Sequence, residues 1–492
     1  MPNILSLKCF LPELILSGGA LLLILYSVIA RPFILSLSKD GGRSNLPNSI
    51  AIISLLISLL FTLSQWNIGN PPLFHGLLIL DRPAMFFKAI FAVTTVIVLI
   101  FSLKMTDDKP EYYALLLGAV VGMNMLASAN NLLVIYLALE FVSLMSYMLV
   151  GWTFGSRRSS EAALKYVLYG AVASGIFLFG ASLYYGLTGT LDLGVAHFSA
   201  RELSQAKASY SLAGLLLLAG FLFKIAAVPM QAWCPDAYEG APTPITAFLS
   251  VAPKAAGFAV LMRVASEVGI TFNWPIVIAI ISAATMTFGN LAAIPQTNLK
   301  RLLAYSSIAH AGYLLMGISC FTQKGDQAIY FYFIAYLIMN LGAFLVVQIV
   351  ANQSTPPLVK GGEGGFESIE SYSGLGRRGT YGAILGIAMT IFLLSLTGVP
   401  PFVGFIGKFY IFSAVIDAKL YWLAIIGIAN SVVSLYYYMR IVRAMFFEAP
   451  KETSPIPFEF NALTVTLIIL VVATILFGIF WQPLSTLVTS IV

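Results

Sequence analysis

Charged residues are scarce in this sequence. They make up 10% of the 492 residues, whereas 59% are hydrophobic and the mean hydropathy is +0.90. Soluble domains carry about 25% charged and about 45–50% apolar residues. The scarcity of charge therefore excludes a soluble globular protein, and it predicts that nearly the whole chain lies in a lipid bilayer.

Cysteine and histidine are also rare. The chain contains only Cys9, Cys234, Cys320, His75, His197 and His310. They lie far apart, without the C-x-x-C or H-x-x-H spacing that holds a zinc ion, a haem or an iron–sulfur cluster. A formal G-x-G-x-x-G at residues 374–379 follows no predicted strand, so it does not indicate a dinucleotide site. We expect no cofactor and no metal in this chain.

Long apolar runs are what the sequence does contain. A membrane helix needs about 20 mostly apolar residues, and on that criterion the chain is predicted to be an all-α integral membrane protein with about fourteen spans. The predicted spans lie near residues 11–30, 49–66, 84–104, 111–127, 129–150, 162–186, 211–233, 242–266, 274–294, 302–320, 325–351, 380–414, 420–445 and 461–486.

The basic residues of the loops predict the orientation of the chain. An even number of spans places both termini on one side of the membrane. The alternate loops that include Arg157, Arg158, Arg377 and Arg378 carry more lysine and arginine than the loops on the other side, where Lys88 and Arg263 are counted. Cytoplasmic loops are the more basic ones, so we expect both termini on the outer, periplasmic side.

Two segments interrupt the apolar pattern, at residues 31–48 and 352–379. Both are rich in glycine, serine and proline, with Lys360-Gly-Gly-Glu-Gly-Gly in the second. Segments of this composition are flexible and tolerate insertion at little cost. The sequence predicts that both are solvated linkers.

Four ionisable residues lie deep inside apolar runs, where a charged side chain is costly and usually marks an ion or proton path. They are Glu140, Lys224, Lys254 and Lys408. A lysine near a carboxylate can exchange a proton when the geometry between them changes slightly. The alternative is a snorkelling lysine or an ion pair that only holds helices together. The depth of Lys224 and Lys408 argues against snorkelling.

Three further residues are candidates for a supporting role. Lys165 lies closer to a helix end, where an anchor and a relay are equally open interpretations. His310 and Tyr305, in one predicted helix, could pass protons between lysines through water, although a lone histidine is more often a satisfied polar contact.

Two predicted spans are interrupted by proline, at Pro229 and at Pro400, each close to a buried lysine. Paired broken helices indicate internal repeats with an ion site near the membrane midplane. We predict two inverted five-helix repeats, formed by helices 4–8 and 9–13. The predicted divisions are an N-terminal three-helix segment at 1–110, repeats at 111–266 and 274–445, and a C-terminal helix at 446–492. Two unrelated proline kinks are the alternative.

Three stretches carry a family resemblance. They are Lys224-Ile-Ala-Ala-Val-Pro-Met-Gln-Ala-Trp-Cys-Pro-Asp with the residues up to 248, Asn298-Leu-Lys-Arg-Leu-Leu-Ala-Tyr-Ser-Ser-Ile-Ala-His310, and Gly398-Val-Pro-Pro-Phe-Val-Gly-Phe-Ile-Gly-Lys408. With them the chain resembles the antiporter-like subunits of complex I, the proton-pumping NADH:quinone oxidoreductase. It is most similar to the subunit N branch, the bacterial counterpart of mitochondrial subunit 2, because of its lysines at 254 and 408 and its end soon after the fourteenth helix.

The resemblance implies roles for the buried residues. Glu140 and Lys224 would form the coupled pair of a first half-channel, Lys254 the central relay and Lys408 the exit-side lysine, with Lys165 modulating the pair. It also implies a bacterial inner membrane, other membrane-arm subunits as partners, and contact with NADH and quinone only through those subunits. No flavin, iron–sulfur cluster or nucleic acid is expected.

Other functions remain open from the sequence. A multisubunit sodium/proton antiporter shares these buried groups and would act without an electron donor. A membrane hydrogenase or a ferredoxin-driven relative of complex I would differ in its neighbouring genes. A purely structural membrane scaffold would use the charges only to lock helices together.

Overall fold

The computed structural model describes residues 2–30, 45–104, 109–193, 200–268, 274–353, 367–450 and 454–492. Helices dominate these ranges. The predicted linkers lie partly outside them, at residues 31–44 and 354–366. The rest of the second linker is packed, since a short 3-10 helix at Ile369–Tyr372 buries Tyr372.

The first half of the chain alternates long helices with short connections. Its helices are α1 (Pro2–Cys9), α2 (Leu11–Leu25, extended by a π-helical turn to Ala30), α3 (Leu46–Ser64), α4 (Arg82–Phe101), α5 (Pro110–Ser128), α6 (Leu132–Val150), α7 (Arg157–Thr188), α8 (Ala200–Ile225), α9 (Trp233–Gly240) and α10 (Thr243–Val268). Between α3 and α4, strands β1 (Pro72–Leu73) and β2 (Leu78–Ile79) form a small antiparallel hairpin.

The second half continues the same pattern. Its helices are α11 (Trp274–Ala293), α12 (Leu299–Ser319), α13 (Gln323–Gln353), α14 (Gly379–Thr397), α15 (Val403–Asp417), α16 (Tyr421–Phe447), α17 (Ala462–Ile479) and α18 (Gln482–Thr489).

The predicted membrane spans are confirmed. Within the described ranges, fourteen helices are long and apolar enough to cross a membrane, and each overlaps one of the predicted spans. Their outward surfaces are apolar as well, for example at Leu60 of α3 and at Ile425 and Val432 of α16, which are 66–67% exposed. Apolar side chains on an outward helix surface suit contact with lipid.

Both predicted proline breaks are present. The first separates α8 from α9, with Pro229 in the connecting turn, and the second separates α14 from α15 at Pro400 and Pro401. Proline lacks the backbone N–H that a helix interior needs, so it often breaks or kinks a helix. Lys224 lies just before its break, whereas Lys408 lies on the helix that follows its break. The inverted repeats and the predicted division into 1–110, 111–266, 274–445 and 446–492 remain predictions.

The chain divides into two compact units. Unit 1 comprises Met1–Thr153, Tyr166–Lys224 and Ala252–Phe272. Within it, α2 packs on α3 and α5, and α4 packs on α3 and α5. Successive helices run in opposite directions, so that the start of α2, the end of α3, the start of α4 and the end of α5 lie at one end of this group.

Unit 2 comprises Phe154–Lys165, Ile225–Val251 and Asn273–Val492. Its closest pair of helices is α11 and α12, which approach through glycines. A Cβ atom on Gly289 would lie 2.6 Å from the backbone N of Ala309. Small residues allow such close contact between membrane helices. Helix α13 packs against α14, α15 and α17, which places it at the core of this unit.

Candidate functional site

Glu140 and Lys224 face one small cavity inside unit 1. Helix α6 contributes Glu140 and Ser143, α7 contributes Ser174, and α8 contributes Lys224. The cavity measures about 20 Å³, which is room for about one water molecule. The structure thus places around one cavity the two residues that the family resemblance pairs.

Serine hydroxyls orient both charged groups. Lys224 Nζ, on a side chain that is 1% exposed, donates a hydrogen bond to Ser143 Oγ at 3.2 Å. Ser174 Oγ donates to Glu140 Oε1. Each ion therefore has a neutral hydroxyl partner beside the shared cavity, an arrangement in which a proton can move through hydroxyl groups and water.

Lys254 is buried in unit 1, where its side chain is 2% exposed. It follows Pro253, which lies inside α10. Because proline provides no N–H, the carbonyl of the residue four positions earlier, Leu249, loses its helical hydrogen bond. The sequence thus places a polar backbone group about one turn from this lysine.

Lys408 lies in unit 2 and is 4% exposed. Its Nζ donates to Ser431 Oγ at 3.1 Å and to the carbonyl of Thr397 at 2.8 Å. Thr397 is the last residue of α14, and the last carbonyls of a helix have no partner inside the helix. The break after α14 therefore supplies the acceptor that holds Lys408.

His310 is a bridging residue in unit 2. Its Nδ1 is 2.6 Å from Tyr332 Oη and its Nε2 is 3.4 Å from Tyr438 Oη. Tyr438 Oη also contacts Ser306 Oγ at 2.5 Å. These contacts make a buried row of exchangeable hydroxyl and imidazole groups along α12. Tyr305 is placed differently, with its ring packed against Phe288.

Lys165 belongs to a charged network in unit 2 rather than to a buried lysine site. Its side chain is 43% exposed and pairs with Glu161 at 2.8 Å and Asp236 at 3.1 Å. The charged network is the group Arg158, Glu161, Lys165, Asp236, Glu239, Lys300, Arg301 and Glu367. It ties the short helix α9 to the starts of α7 and α12 and to the segment after residue 366.

Two carboxyl groups of this network lie outside the membrane spans and have altered pKa values. Burial raises the pKa of Asp236, but hydrogen bonds from Arg301 and Lys165 outweigh burial, and the pKa lies below its usual value. For Glu367, burial likewise opposes the positive charges of Lys300 and Arg158, and the net result is a lowered pKa. Both groups are therefore held ionised.

Several contact residues were not anticipated from the sequence. Ser143, Ser174 and Ser431 are ordinary residues in apolar helices, and only their positions one or more helices away make them partners of Glu140, Lys224 and Lys408. Lys88 and Arg263 were counted as loop charges, but they lie within α4 and α10. Each pairs with a carboxylate, Lys88 with Glu13 and Arg263 with Asp81.

The comparison with known families agrees with the motifs. A sequence profile described as NADH:quinone oxidoreductase/Mrp antiporter, TM, matches residues 129–434. The chain belongs to this family. Glu140, Lys224, Lys254 and Lys408 all fall within the segment that matches the NADH:quinone oxidoreductase/Mrp antiporter profile.

Individual relatives in the NADH:quinone oxidoreductase/Mrp antiporter family match nearly the whole chain. A protein named NADH-quinone oxidoreductase subunit N 2, from Sorangium cellulosum (strain So ce56), is 43% identical over 98% of this chain and 96% of its own length. The NADH-quinone oxidoreductase subunit N of Anaeromyxobacter sp. (strain Fw109-5) is 42% identical, with the same coverage of both chains.

Solved structures show the same fold. A chain of respiratory complex I from Thermus thermophilus with bound aureothin is 32% identical, with a TM-score of 0.79 that covers 96% of this chain and 98% of that one. A chain of the Mrp complex from Dietzia sp. DQ12-45-1b has a TM-score of 0.80, with 99% of this chain and 97% of that one covered. At 20% identity the second match shows the fold alone.

Proposed function

We propose that this chain is a membrane-arm subunit of a respiratory NADH:quinone oxidoreductase, of the subunit N type, and that it moves protons through buried lysine and glutamate side chains. Quinone reduction takes place in other subunits and drives the movement. The names and full-length similarity of the relatives support the assignment to the complex. The observation that carries the proton path is the shared cavity of Glu140 and Lys224.

The mechanism begins at this cavity. Burial deprives the Lys224 ammonium of hydration, while the Glu140 carboxylate stabilises it. A small change in the distance between the two groups therefore changes the proton affinity of Lys224. Ser143 and Ser174 keep both groups oriented while the proton is exchanged.

Lys254 and Lys408 continue the path as the central and the exit-side lysine. The polar surroundings of Lys408 support its part, because Ser431 and the row formed by His310, Tyr332 and Tyr438 provide exchangeable groups in the same unit. In this proposal Lys165 modulates the pair of Glu140 and Lys224 from a distance, through the charge of the network to which Lys165 belongs. Pro229 and Pro400 supply the helix breaks.

The subunit works without its own redox group. In this proposal NADH and quinone bind to other subunits of the complex, and this chain contacts its neighbours in the membrane arm. It is the translocating part of the enzyme and not a redox site. Both termini lie on the periplasmic side of the bacterial inner membrane, which labelling of terminal tags in intact and in permeabilised cells tests directly.

A sodium/proton antiporter subunit is the second candidate, because the family description and the fold of the Mrp complex include that class. Relatives named NADH-quinone oxidoreductase subunit N at 42–43% identity favour the first candidate. Ion transport by this chain's complex in the absence of an electron donor would support the second.

The decisive experiment is NADH-driven acidification of inside-out membrane vesicles that carry Lys224→Ala, normalised to assembled complex. Loss of acidification with normal assembly is the expected result. Lys324→Ala is the matched control, since Lys324 is likewise a helix lysine with a side-chain partner but is 71% exposed. Unchanged acidification in Lys224→Ala would refute Lys224 as a proton carrier.

A further inference from the structure

Glu13 and Lys88 form a buried ion pair in the N-terminal helices of unit 1. Glu13 lies in the first turn of α2 and Lys88 in the second turn of α4. The Lys88 Nζ and Glu13 Oε1 atoms are 2.7 Å apart, and the side chains are 3% and 1% exposed. The pair is thus as deeply buried as Lys224, and it lies on helices outside the segment 129–434 matched by the family profile.

Stability alone does not explain this pair. Removing two ions from water is expensive, and replacing a buried ion pair by apolar residues of similar size is often neutral or stabilising. The Glu13 carboxylate is also incompletely satisfied, because Oε2 has no hydrogen-bond donor among the described residues. An ionisable residue kept inside the membrane at such a cost indicates a functional site.

Further polar groups lie at the same end of these helices. Gln65 follows the end of α3, and its Nε2 donates to the carbonyl of Lys8, next to the start of α2. Asn124 and Ser128 lie in the last turns of α5. Gln65 Oε1, Asn124 Oδ1 and Ser128 Oγ are buried without a hydrogen-bond partner in the described part of the chain. Buried polar atoms of this kind are the usual ligands of internal water, which carries protons.

A second ion pair lies at the same end of these helices. Asp81 caps α4 by accepting from the backbone N of Ala84, and it pairs with Arg263 at 2.8 Å. The Asp81 and Arg263 side chains are 15% and 14% exposed. Lys88 follows Asp81 by seven residues, which is about two turns on the same face of the helix and about 10 Å along its axis.

Arg263 also connects this region to the proposed path. It lies on α10, the helix that carries Lys254, and it donates a hydrogen bond to the carbonyl of Ala127 at the end of α5. Lys254 therefore lies on the same helix as Arg263, the arginine that holds Asp81. All of these residues belong to unit 1.

We propose that Glu13 and Lys88 form a second proton-exchange site, which binds and releases a proton during turnover and communicates with the start of α4 and with α10 through Asp81 and Arg263. Binding of one proton by the Glu13 carboxylate turns the ion pair into a neutral acid beside the Lys88 ammonium, and the proton leaves when the carboxyl group ionises again. This inference rests on the proposed proton-translocating function.

The test uses the assembled complex in inside-out vesicles, with the ratio of protons moved to NADH oxidised as the readout. Glu13→Gln keeps the shape of the side chain but cannot bind a proton. The double variant Glu13→Leu with Lys88→Met replaces the pair by apolar residues. The matched control is Lys324→Met with Asp417→Leu, which removes an exposed ion pair of the same chemistry, also 2.7 Å long.

We expect both variants at the buried pair to assemble and to lower the proton ratio, while the control pair leaves it unchanged. We also expect Glu13→Gln to remove a carboxylic-acid band from the infrared difference spectrum between oxidised and reduced complex. A ratio and a spectrum equal to those of the wild type would overturn the proposal. So would a double variant that restores the ratio lost in Glu13→Gln, or failure of both variants to assemble, because each assigns the pair to folding.

Lys224→Ala, measured in parallel, separates this proposal from the proposed function. If Lys224→Ala lowers the ratio and the Glu13 variants do not, only the second site is refuted. If no variant lowers the ratio, proton translocation by this chain is refuted as well.

Discussion

Lys408 and Tyr313 are in direct cation–π contact, with the Nζ atom 4.4 Å from the centre of the ring. Ser431 joins them, since its Oγ lies 3.1 Å from Lys408 Nζ and 2.9 Å from Tyr313 Oη. The three residues come from α15, α12 and α16. The position of the lysine therefore depends on one serine hydroxyl and one aromatic face as well as on the carbonyl of Thr397.

Ser431→Ala tests this dependence. A hydrogen bond to a charged group contributes about 1.5–3 kcal/mol, so we expect the variant to misplace Lys408 and to lower proton movement about tenfold or more per assembled complex. Ser431→Thr keeps the hydroxyl and should retain most of the activity. Equal activity in the alanine and threonine variants would contradict the role of the hydroxyl.

Ser174→Ala addresses the other charged site. Without the hydroxyl that donates to Glu140, the carboxylate loses a stabilising partner and the balance between Glu140 and Lys224 changes. We expect the pH profile of NADH-driven proton movement to shift while assembly is unchanged. Ser160→Ala, at an exposed serine whose hydroxyl donates to the carbonyl of Ser156, is the control. A Ser174 variant with a wild-type profile would count against the pairing.

Lys300 should contribute strongly to stability. Its Nζ is buried and donates to the carbonyls of Glu239 and Ala241 and to Glu367. Breaking a buried pair by removing one partner costs about 3–5 kcal/mol, so Lys300→Met should lower the thermal stability of the detergent-solubilised complex. Lys324→Met, at an exposed pair, should cost no more than about 1 kcal/mol. A similar loss for both lysines would show that burial is unimportant here.

The lowered pKa of Glu367 predicts a pH dependence of stability. A carboxyl group with a lowered pKa in the folded state stabilises the fold above its ordinary pKa of about 4. That contribution is lost as the pH falls from this value through the lowered one. We expect Glu367→Gln to reduce stability at neutral pH and to flatten the acid-side loss, measured by thermal denaturation. An acid-side slope in Glu367→Gln equal to that of the wild type would refute the prediction.

Gly404→Ala should disturb the second helix break. A Cβ atom at this position would lie 1.9 Å from the carbonyl oxygen of Ser395, so the start of α15 has to move. Because Lys408 lies one turn further on, we expect loss of proton movement and lower stability. Gly175→Ala meets nothing within 4 Å and should stabilise α7 by about 0.5–1 kcal/mol. An active Gly404 variant would show that the break tolerates movement.

The spans could be predicted from the sequence because hydropathy reports directly on helices that lie in lipid. The deep lysines were predictable for the same reason, since each interrupts an apolar run. The burial of Glu13 and Lys88 could not be predicted, because both residues lie near helix ends, where a charge is ordinarily exposed. Only packing shows that they meet and are buried.

The hydroxyl partners could not be predicted. Serine and tyrosine are common in membrane helices, and nothing in the sequence distinguishes Ser431 from Ser434, which bonds only to the backbone of its own helix. The ion pair between Lys165 and Asp236 could not be predicted either, because Asp236 belongs to a short helix whose position depends on the break after α8. Contacts between helices depend on the packing of the whole unit.

The two hydrogen-bond acceptors of Lys408, the carbonyl of Thr397 and the hydroxyl of Ser431, differ in their ability to pass on a proton. A carbonyl oxygen accepts a hydrogen bond but carries no proton that it could pass on, whereas the hydroxyl of Ser431 both donates and accepts. Lys408 thus has one neighbour that fixes its position and another that can exchange a proton with it. Lys408 is thus the last member of a short chain of hydrogen bonds that runs from Tyr313 through Ser431. A proton that reaches Lys408 returns through the hydroxyl of Ser431 unless the helix break rearranges.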